Sequence, residues 1–127
     1  MAGIQSHRDL AVWHKAMELA VLSYGFTQAF PESQRFGLTR QLQRAATSVP
    51  ANIAEGKGRS TSRDYAHFLG IARGSLLETD TYIELTWRLG FIPDESARAA
   101  LALSDEIRRM LTTLRNRVME EGRTRQG

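Results

Sequence analysis

Residues 61–89 decide the fold class of this chain, and they read TSRDYAHFLGIARGSLLETDTYIELTWRL. Their apolar residues recur at spacings of three and four, which is the period of an α-helix. Thr61 or a neighbouring serine is the predicted N-cap, and Asp64 follows three residues after Thr61 as in a capping box. The predicted helix has two apolar faces, one with Tyr65, Phe68, Leu69, Ala72, Leu76, Ile83 and Trp87, the other with Ile71, Tyr82, Leu85 and Leu89.

The segment before residue 31 predicts another helix with two apolar sides. It is expected to begin at Asp9 as the cap and to run to about Ala29, where Phe30-Pro31 ends it. One neighbouring helix cannot bury both sides, so the spacing predicts two partners. The two rows are Leu10, Trp13, Met17, Val21 and Tyr24, and Val12, Ala16, Leu19, Ser23 and Phe26.

Two more helices complete the pattern. The second is expected over about Glu32–Glu55, with a bend at Pro50, before a turn at residues 56–60. The fourth is expected to follow the Gly90–Pro93 break, with Asp94 as its cap. Their inward residues are predicted to be Leu38, Leu42, Ala45, Val49 and Ile53, and Ala100, Leu103, Ile107, Met110, Leu111, Leu114 and Val118.

Four helices with short connections predict an all-α fold, an antiparallel up-down-up-down four-helix bundle. Residues 9–119 form this bundle in the prediction, between an N-terminal tail at 1–8 and a basic C-terminal tail at 120–127. The second apolar rows on the first and third helices exceed what a lone bundle can bury, which favours a homo-oligomer.

Composition limits the class of protein. The 127 residues include no cysteine, which excludes a disulfide framework, and no apolar run approaches the length of a membrane span. We therefore expect a cytoplasmic protein that does not contact a membrane.

Charge is unevenly distributed along the chain. The net charge is +3, but residues 35–63 carry six basic groups against one acid. Residues 64–106 carry three basic groups against eight acids, and residues 107–127 carry six against two. The folded protein is therefore expected to be electrically polarised.

Catalysis has little support in the sequence. His7, His14 and His67 have no acidic or serine partners at the spacing of a triad or dyad. Asp64-x-x-His67 occurs once, whereas di-iron bundles need such a segment on each of two helices. Residues 56–60 lack the Walker spacing and a preceding strand. We predict a protein that is not an enzyme and that has no metal or cofactor.

A polar stripe accompanies the apolar face of the second helix, and it has two interpretations. The stripe can form hydrogen bonds that fix helix register, or its arginines can contact phosphate, for which the guanidinium fork is well shaped. Asn52 and Glu55 fit the second interpretation poorly. The stripe consists of Gln41, Arg44, Ser48, Asn52, Glu55 and Arg59.

The predicted turn after the second helix is a better candidate for phosphate contact. Lys57, Arg59 and Arg63 surround the start of the third helix, where free backbone N–H groups favour an anion. The alternative is a solvated run of charge that the acidic third helix balances. Trp13, Trp87, Phe68 and Tyr65 lie at core spacings, so no stacking platform for single strands is expected.

Several segments together carry a resemblance to one family. They are residues 9–16 (DLAVWHKA), Phe30-Pro31, residues 37–46 (GLTRQLQRAA), residues 48–56 (SVPANIAEG), Arg59 and residues 68–78 (FLGIARGSLLE). Over about residues 9–118 the chain resembles the four-helix bundle proteins encoded in intervening sequences of 23S ribosomal RNA genes. Gln34 departs from the acid that is usual at its position.

The resemblance implies further properties. The family implies a homopentameric ring, and it is similar to the accessory variability proteins of diversity-generating retroelements, which are basic rings that bind reverse transcriptase and nucleic acid. We therefore expect an oligomeric accessory protein that binds RNA or DNA through phosphate, with a reverse transcriptase or a ribosomal RNA-associated process as its context. The phosphate-binding residues are predicted to be Arg40, Arg44, Lys57, Arg59 and Arg63, and arginines near the C-terminus can add to them. The alternative is a protein-interaction ring that does not bind nucleic acid.

Overall fold

Four α-helices form the fold. The structure is a computed structural model that describes residue 3 and residues 5–126, with the backbone alone at 125 and 126. The helices are α1 (Ala11–Thr27), α2 (Leu38–Lys57), α3 (Ser62–Arg88) and α4 (Asp94–Gln126), and two short 3-10 turns occupy His7–Asp9 and Glu32–Gln34. The described residues include no strand, which confirms the predicted all-α class.

One apolar core joins the four helices. Each of α1 and α3 packs along both α2 and α4. The predicted inward residues Leu42, Val49 and Ile53 of α2 are buried, as are Ile107 and Leu111 of α4. In α1 the predicted row that begins with Val12 and ends with Phe26 faces the core. In the other row Met17, Val21 and Tyr24 are exposed. Burial of apolar area at about 25 cal/mol per Å² makes this core the main source of stability.

The beginning of α1 differs from the prediction. The helix starts at Ala11, and its N-cap position, Leu10, provides no side-chain cap. Asp9 instead accepts hydrogen bonds from the backbone N–H groups of Gln5 and Ser6 at 3.0 and 3.1 Å. These bonds lower the pKa of the Asp9 carboxyl, and the nearby Lys57 ammonium adds to the effect. Asp9 therefore completes the capping box of the 3-10 turn His7–Asp9, whose N-cap is Ser6, and does not cap α1.

The boundaries of α2 and α4 also differ. The predicted start at Glu32 falls in the 3-10 turn, and α2 begins only after Gly37, whose backbone angles (φ −107°, ψ −110°) are not helical. Gly56 and Lys57 belong to α2 and not to the turn. The predicted tail from residue 120 is helical as far as Gln126. Asp94 is the first residue of α4, and its carboxylate accepts a hydrogen bond from Trp87 Nε1 at 2.7 Å.

Both ends of α3 agree with the prediction. Thr61 is the N-cap, and its hydroxyl accepts a hydrogen bond from the Asp64 N–H at 3.1 Å. At the other end Gly90 adopts φ +83°, a conformation that glycine adopts without steric cost. The Phe91 N–H then donates to the Thr86 carbonyl, and the Gly90 N–H donates to the Trp87 carbonyl, as in a Schellman motif.

Replacing Thr61 with alanine is expected to lower the free energy of unfolding by about 1 kcal/mol, because the first turn of α3 loses an acceptor for one of its N–H groups. Thr61→Ser keeps the hydroxyl and is the matched control. Urea denaturation of both variants measures the difference. Equal stability of the alanine and serine variants would show that the cap contributes nothing.

Candidate nucleic-acid interface

The predicted cations lie in two separate groups. Arg40 and Arg44 are exposed in the first half of α2, whereas Lys57, Arg59 and Arg63 surround the connection between α2 and α3. Lys57 follows Arg44 by thirteen positions, which is about 20 Å along a helix. The five residues therefore do not form one local cluster, and we call the second group (Lys57, Arg59 and Arg63) the turn trio.

Aromatic rings of α3 support two members of the turn trio. Lys57 Nζ lies 5.8 Å from the centre of the Tyr65 ring, and the Arg59 guanidinium carbon lies 4.6 Å from that of Phe68. Such cation–π contacts hold a basic head in place without neutralising its charge. Burial raises the pKa of the Tyr65 hydroxyl, and the Glu121 carboxylate adds to the shift. Tyr65 and Phe68 thus pack against α2 and also support cations.

Ion pairing distinguishes the members of the trio. Arg59 pairs with Glu55 at 3.1 Å, one helical turn earlier. Among the described residues, no carboxylate lies within 4 Å of the side-chain nitrogens of Lys57 or Arg63, and the same holds for Arg40 and Arg44. Of the five predicted cations, only Arg59 forms an ion pair with a carboxylate of the described residues, and Lys57 also lies near enough to Asp9 to lower the pKa of that carboxyl.

Close helix packing positions the trio. A Cβ atom on Gly56 would lie 2.9 Å from Phe68 Cβ and 3.2 Å from the Tyr65 carbonyl oxygen. Only a glycine allows the last turn of α2 to approach α3 this closely, and the approach brings Lys57 and Arg59 over the aromatic rings. The sequence predicted Gly56 in a turn and revealed neither its packing role nor the aromatic rings beneath Lys57 and Arg59. A glycine just before basic residues, with aromatic residues in the next helix, was the signal that could have indicated this close packing.

The polar stripe divides into a hydrogen-bonded part and an exposed part. Ser48 Oγ lies 2.8 Å from Ser75 Oγ of α3, and Asn52 Nδ2 donates to Ser48 O and Oγ at 2.8 and 2.9 Å. The Ser48–Ser75 bond joins α2 to α3, and the two Asn52 bonds lie within α2 and support Ser48, which favours the structural interpretation at both residues. Gln41 and Arg44 are exposed, and Glu55 is used by Arg59. The sequence alone did not identify Ser75 as the hydrogen-bond partner of Ser48.

The histidines lie in packing and hydrogen-bonding environments. His14 Nε2 lies 2.7 Å from the Arg8 carbonyl oxygen, and the His7 ring meets Trp13 edge-on at 4.9 Å. His67 packs against Phe68. Within the described part of the chain, His, Asp and Glu residues form no group of three that could hold a metal ion. No described helix is both long and apolar enough to span a membrane.

These features define an all-α four-helix protein with an exposed basic connection between its second and third helices. Residues 8–113 match the family model of the 23S rRNA-intervening sequence proteins, and the chain belongs to this family. A similar solved structure is that of a Bacteroides thetaiotaomicron protein with unknown function from the S23 ribosomal protein family. It has a TM-score of 0.76 and 28% identity, over 83% of this chain and 95% of that one. Comparison with curated proteins gives no match.

Proposed function

We propose that this chain is a non-enzymatic, self-associating protein that binds RNA or DNA through backbone phosphates. The turn trio is the main contact, with Arg40 and Arg44 as a second one. A reverse transcriptase or a ribosomal RNA-associated process is the context that the resemblance implies. The proposal includes a cytoplasmic location, the compartment expected for a chain without cysteine.

The proposal takes the bundle as antiparallel, up-down-up-down, over residues 9–119. Gln43 near the start of α2 donates to Thr27 at the end of α1 at 3.1 Å. Arg115 late in α4 donates to the Ala66 carbonyl early in α3 at 3.1 Å. Both contacts join the end of one helix to the beginning of another, which supports antiparallel neighbours. A homopentameric ring is the assembly that the resemblance implies, and exposed apolar rows on α1 and α3 support self-association.

One observation carries the proposal on nucleic acid. Lys57 and Arg63 have no carboxylate within 4 Å among the described residues, and aromatic rings lie beneath the cationic heads of Lys57 and Arg59. Phosphate contacts gain most of their affinity from release of counterions, so held, un-neutralised cations are what such contacts need. Repetition of the trio around an oligomer would multiply the contacts along one strand.

Neutralising the turn trio is expected to weaken binding and to reduce its salt dependence. In Lys57→Gln/Arg59→Gln/Arg63→Gln, the slope of log affinity against log salt concentration should fall by about two, because Lys57 and Arg63 each contribute about one phosphate contact whereas Arg59 is already paired with Glu55. Labelled single-stranded and duplex RNA and DNA are titrated across a salt series. The mass of each protein is determined on the same preparation.

The matched control removes three charges that are already paired elsewhere. Arg35, Arg88 and Arg109 pair with Glu32, Glu84 and Asp105. Their triple glutamine variant changes net charge equally but should keep most of the affinity and the slope. An equal loss in both triple variants would mean that overall charge, and not the trio, determines binding. Absence of binding by the unmodified protein at low salt would reject the proposal.

A specific observation favours the second candidate, a protein-interaction scaffold without nucleic-acid binding. Apolar side chains of α1 and α2 line an open groove of about 530 Å³, and such a surface fits a protein better than a phosphate backbone. An unmodified protein that is oligomeric but does not bind any of the four nucleic acids would support this candidate.

A further inference from the structure

An apolar groove runs between α1 and α2 on the outside of the bundle. We call it the α1–α2 groove, lined by Trp13, Met17, Val21 and Tyr24 of α1 and by Pro50 and Ala51 of α2. Val21 leaves 68% of its surface exposed, and Met17 and Tyr24 are also exposed. A lone four-helix chain gains nothing from a continuous apolar surface of this kind, so a covering partner is expected.

A second apolar surface lies on the outside of α3. We call it the α3 row (Ile71, Leu85 and Leu89), and its members are all exposed, Leu89 by 51%. The exposed Gly74 lies between Ile71 and Leu85 in sequence, and a Cβ built on it meets nothing within 4 Å. The backbone there is open to close approach by another helix.

The groove and the row lie on different helices of one bundle. The groove is formed by α1 and α2, whereas the row lies on α3, and α1 and α3 each pack along α2 and α4. Because both surfaces lie on the outside of the same folded bundle, one chain cannot bring its groove against its own row. Two copies can place the groove of one against the row of the other, and each copy then still has one of its two surfaces uncovered.

Opposite charges accompany the two surfaces. Arg40 and Arg44 are exposed on the half of α2 that leads to Thr47 and Ala51 in the groove. Glu78 is exposed between Ile71 and Leu85, and no Lys or Arg nitrogen of the described residues lies within 4 Å of its carboxylate. A basic border on the groove and an acid within the row favour pairing of unlike surfaces and disfavour pairing of like ones.

We propose that the α1–α2 groove of one copy binds the α3 row of a second copy. The contact joins two different surfaces, so it repeats head to tail, and it forms a closed ring if the rotation per copy closes. This inference rests on the self-association in the proposed function and assigns its interface. It is independent of whether the turn trio binds nucleic acid.

Complementation of two variants tests the assignment. Val21→Glu/Ala51→Glu disables the groove, and Ile71→Glu/Leu85→Glu disables the row. All four positions are exposed, so both variants are expected to fold, which circular dichroism and thermal unfolding verify. Sedimentation equilibrium without nucleic acid should give an oligomer of at least three copies for the unmodified protein and a monomer for each variant. An equal mixture of the two variants should give a dimer of one copy of each, because one intact groove and one intact row remain.

Phe36→Glu is the matched control, since Phe36 is 78% exposed in the α1–α2 connection and neither lines the groove nor belongs to the row, and this variant should keep the oligomer mass. A monomeric unmodified protein would overturn the inference, because the groove would then await a different partner. A dimer of either variant alone, which like-with-like pairing would give, would also overturn it, as would a mixture that stays monomeric. A turn-trio variant that keeps its oligomer mass but loses nucleic acid separates the two proposals.

Discussion

Leu69→Ala is expected to lower the free energy of unfolding by about 2–5 kcal/mol, the range for removing a buried leucine side chain. Leu69 is 0% exposed, and it lies in the α3 face that packs against the other helices. The loss combines the transfer free energy of the removed carbons with the cost of the cavity that remains. Urea denaturation at two protein concentrations measures it and separates a core effect from one on self-association.

Leu77→Ala is the control in the same helix. Leu77 is 43% exposed, so its truncation should cost less than about 1 kcal/mol. Equal losses for the two variants would mean that the register of α3 differs from the one described. A much larger loss at position 77 would show that a partner covers this side of α3.

Gly56→Ala is expected to destabilise the protein by up to about 2 kcal/mol, despite the preference of helices for alanine. Alanine gains about 1 kcal/mol of intrinsic helix propensity over glycine. The new Cβ would, however, lie 2.9 Å from Phe68 Cβ and 3.2 Å from a backbone oxygen, neither of which can move without shifting α3. Overpacking therefore exceeds the gain in propensity. Thermal and urea unfolding measure the net effect.

Gly25→Ala separates propensity from packing. A Cβ at Gly25 in α1 meets nothing within 4 Å, so alanine there should stabilise the protein by about 0.5–1 kcal/mol. Stabilisation by both variants would contradict the close approach of α2 to α3. Because Gly56 adjoins the turn trio, its variant is also expected to weaken phosphate binding as Lys57 and Arg59 lose their positions over the rings.

The parts of the fold that local chemistry controls were predictable. Leu42, Val49 and Ile53 repeat with the helical period and are buried, and Thr61 can accept a hydrogen bond from its own helix. Gly90 ends α3 because it adopts a positive φ angle at no steric cost. Each of these outcomes depends on residues within about one or two helical turns.

The errors occurred where another local motif or a distant segment competes with the expected one. Asp9 is a sound cap, but its carboxylate accepts hydrogen bonds within the 3-10 turn to which it belongs. Residues 120–126 lack apolar periodicity, yet α4 continues, and a Cβ on Gly122 would lie 2.9 Å from Ser62 Cβ of α3. An Arg123–Glu120 pair at 2.9 Å also joins neighbouring turns there. The contact at Gly122 spans about 60 residues and has no local signature.

The charges of the candidate interface were predictable from the sequence, but the aromatic rings beneath two of its cations were not. Lys57, Arg59 and Arg63 stand out as a basic run around a helix start, which composition and spacing reveal. The positions of Tyr65 and Phe68 under two of these cations depend on how deeply α2 sits against α3. Helical spacing shows that an aromatic residue is inward, but it does not show which cation lies above the ring.

By itself, the sequence determined the helical class, most of the core and the location of the basic turn, because periodicity, capping and charge are properties of short segments. Only the tertiary structure decided which of the two apolar rows of α1 and α3 faces the core and which stays outside. Both rows of each helix satisfy the same period, and the choice depends on packing against α2 and α4. That choice leaves the α1–α2 groove and the α3 row exposed on the outside of the bundle.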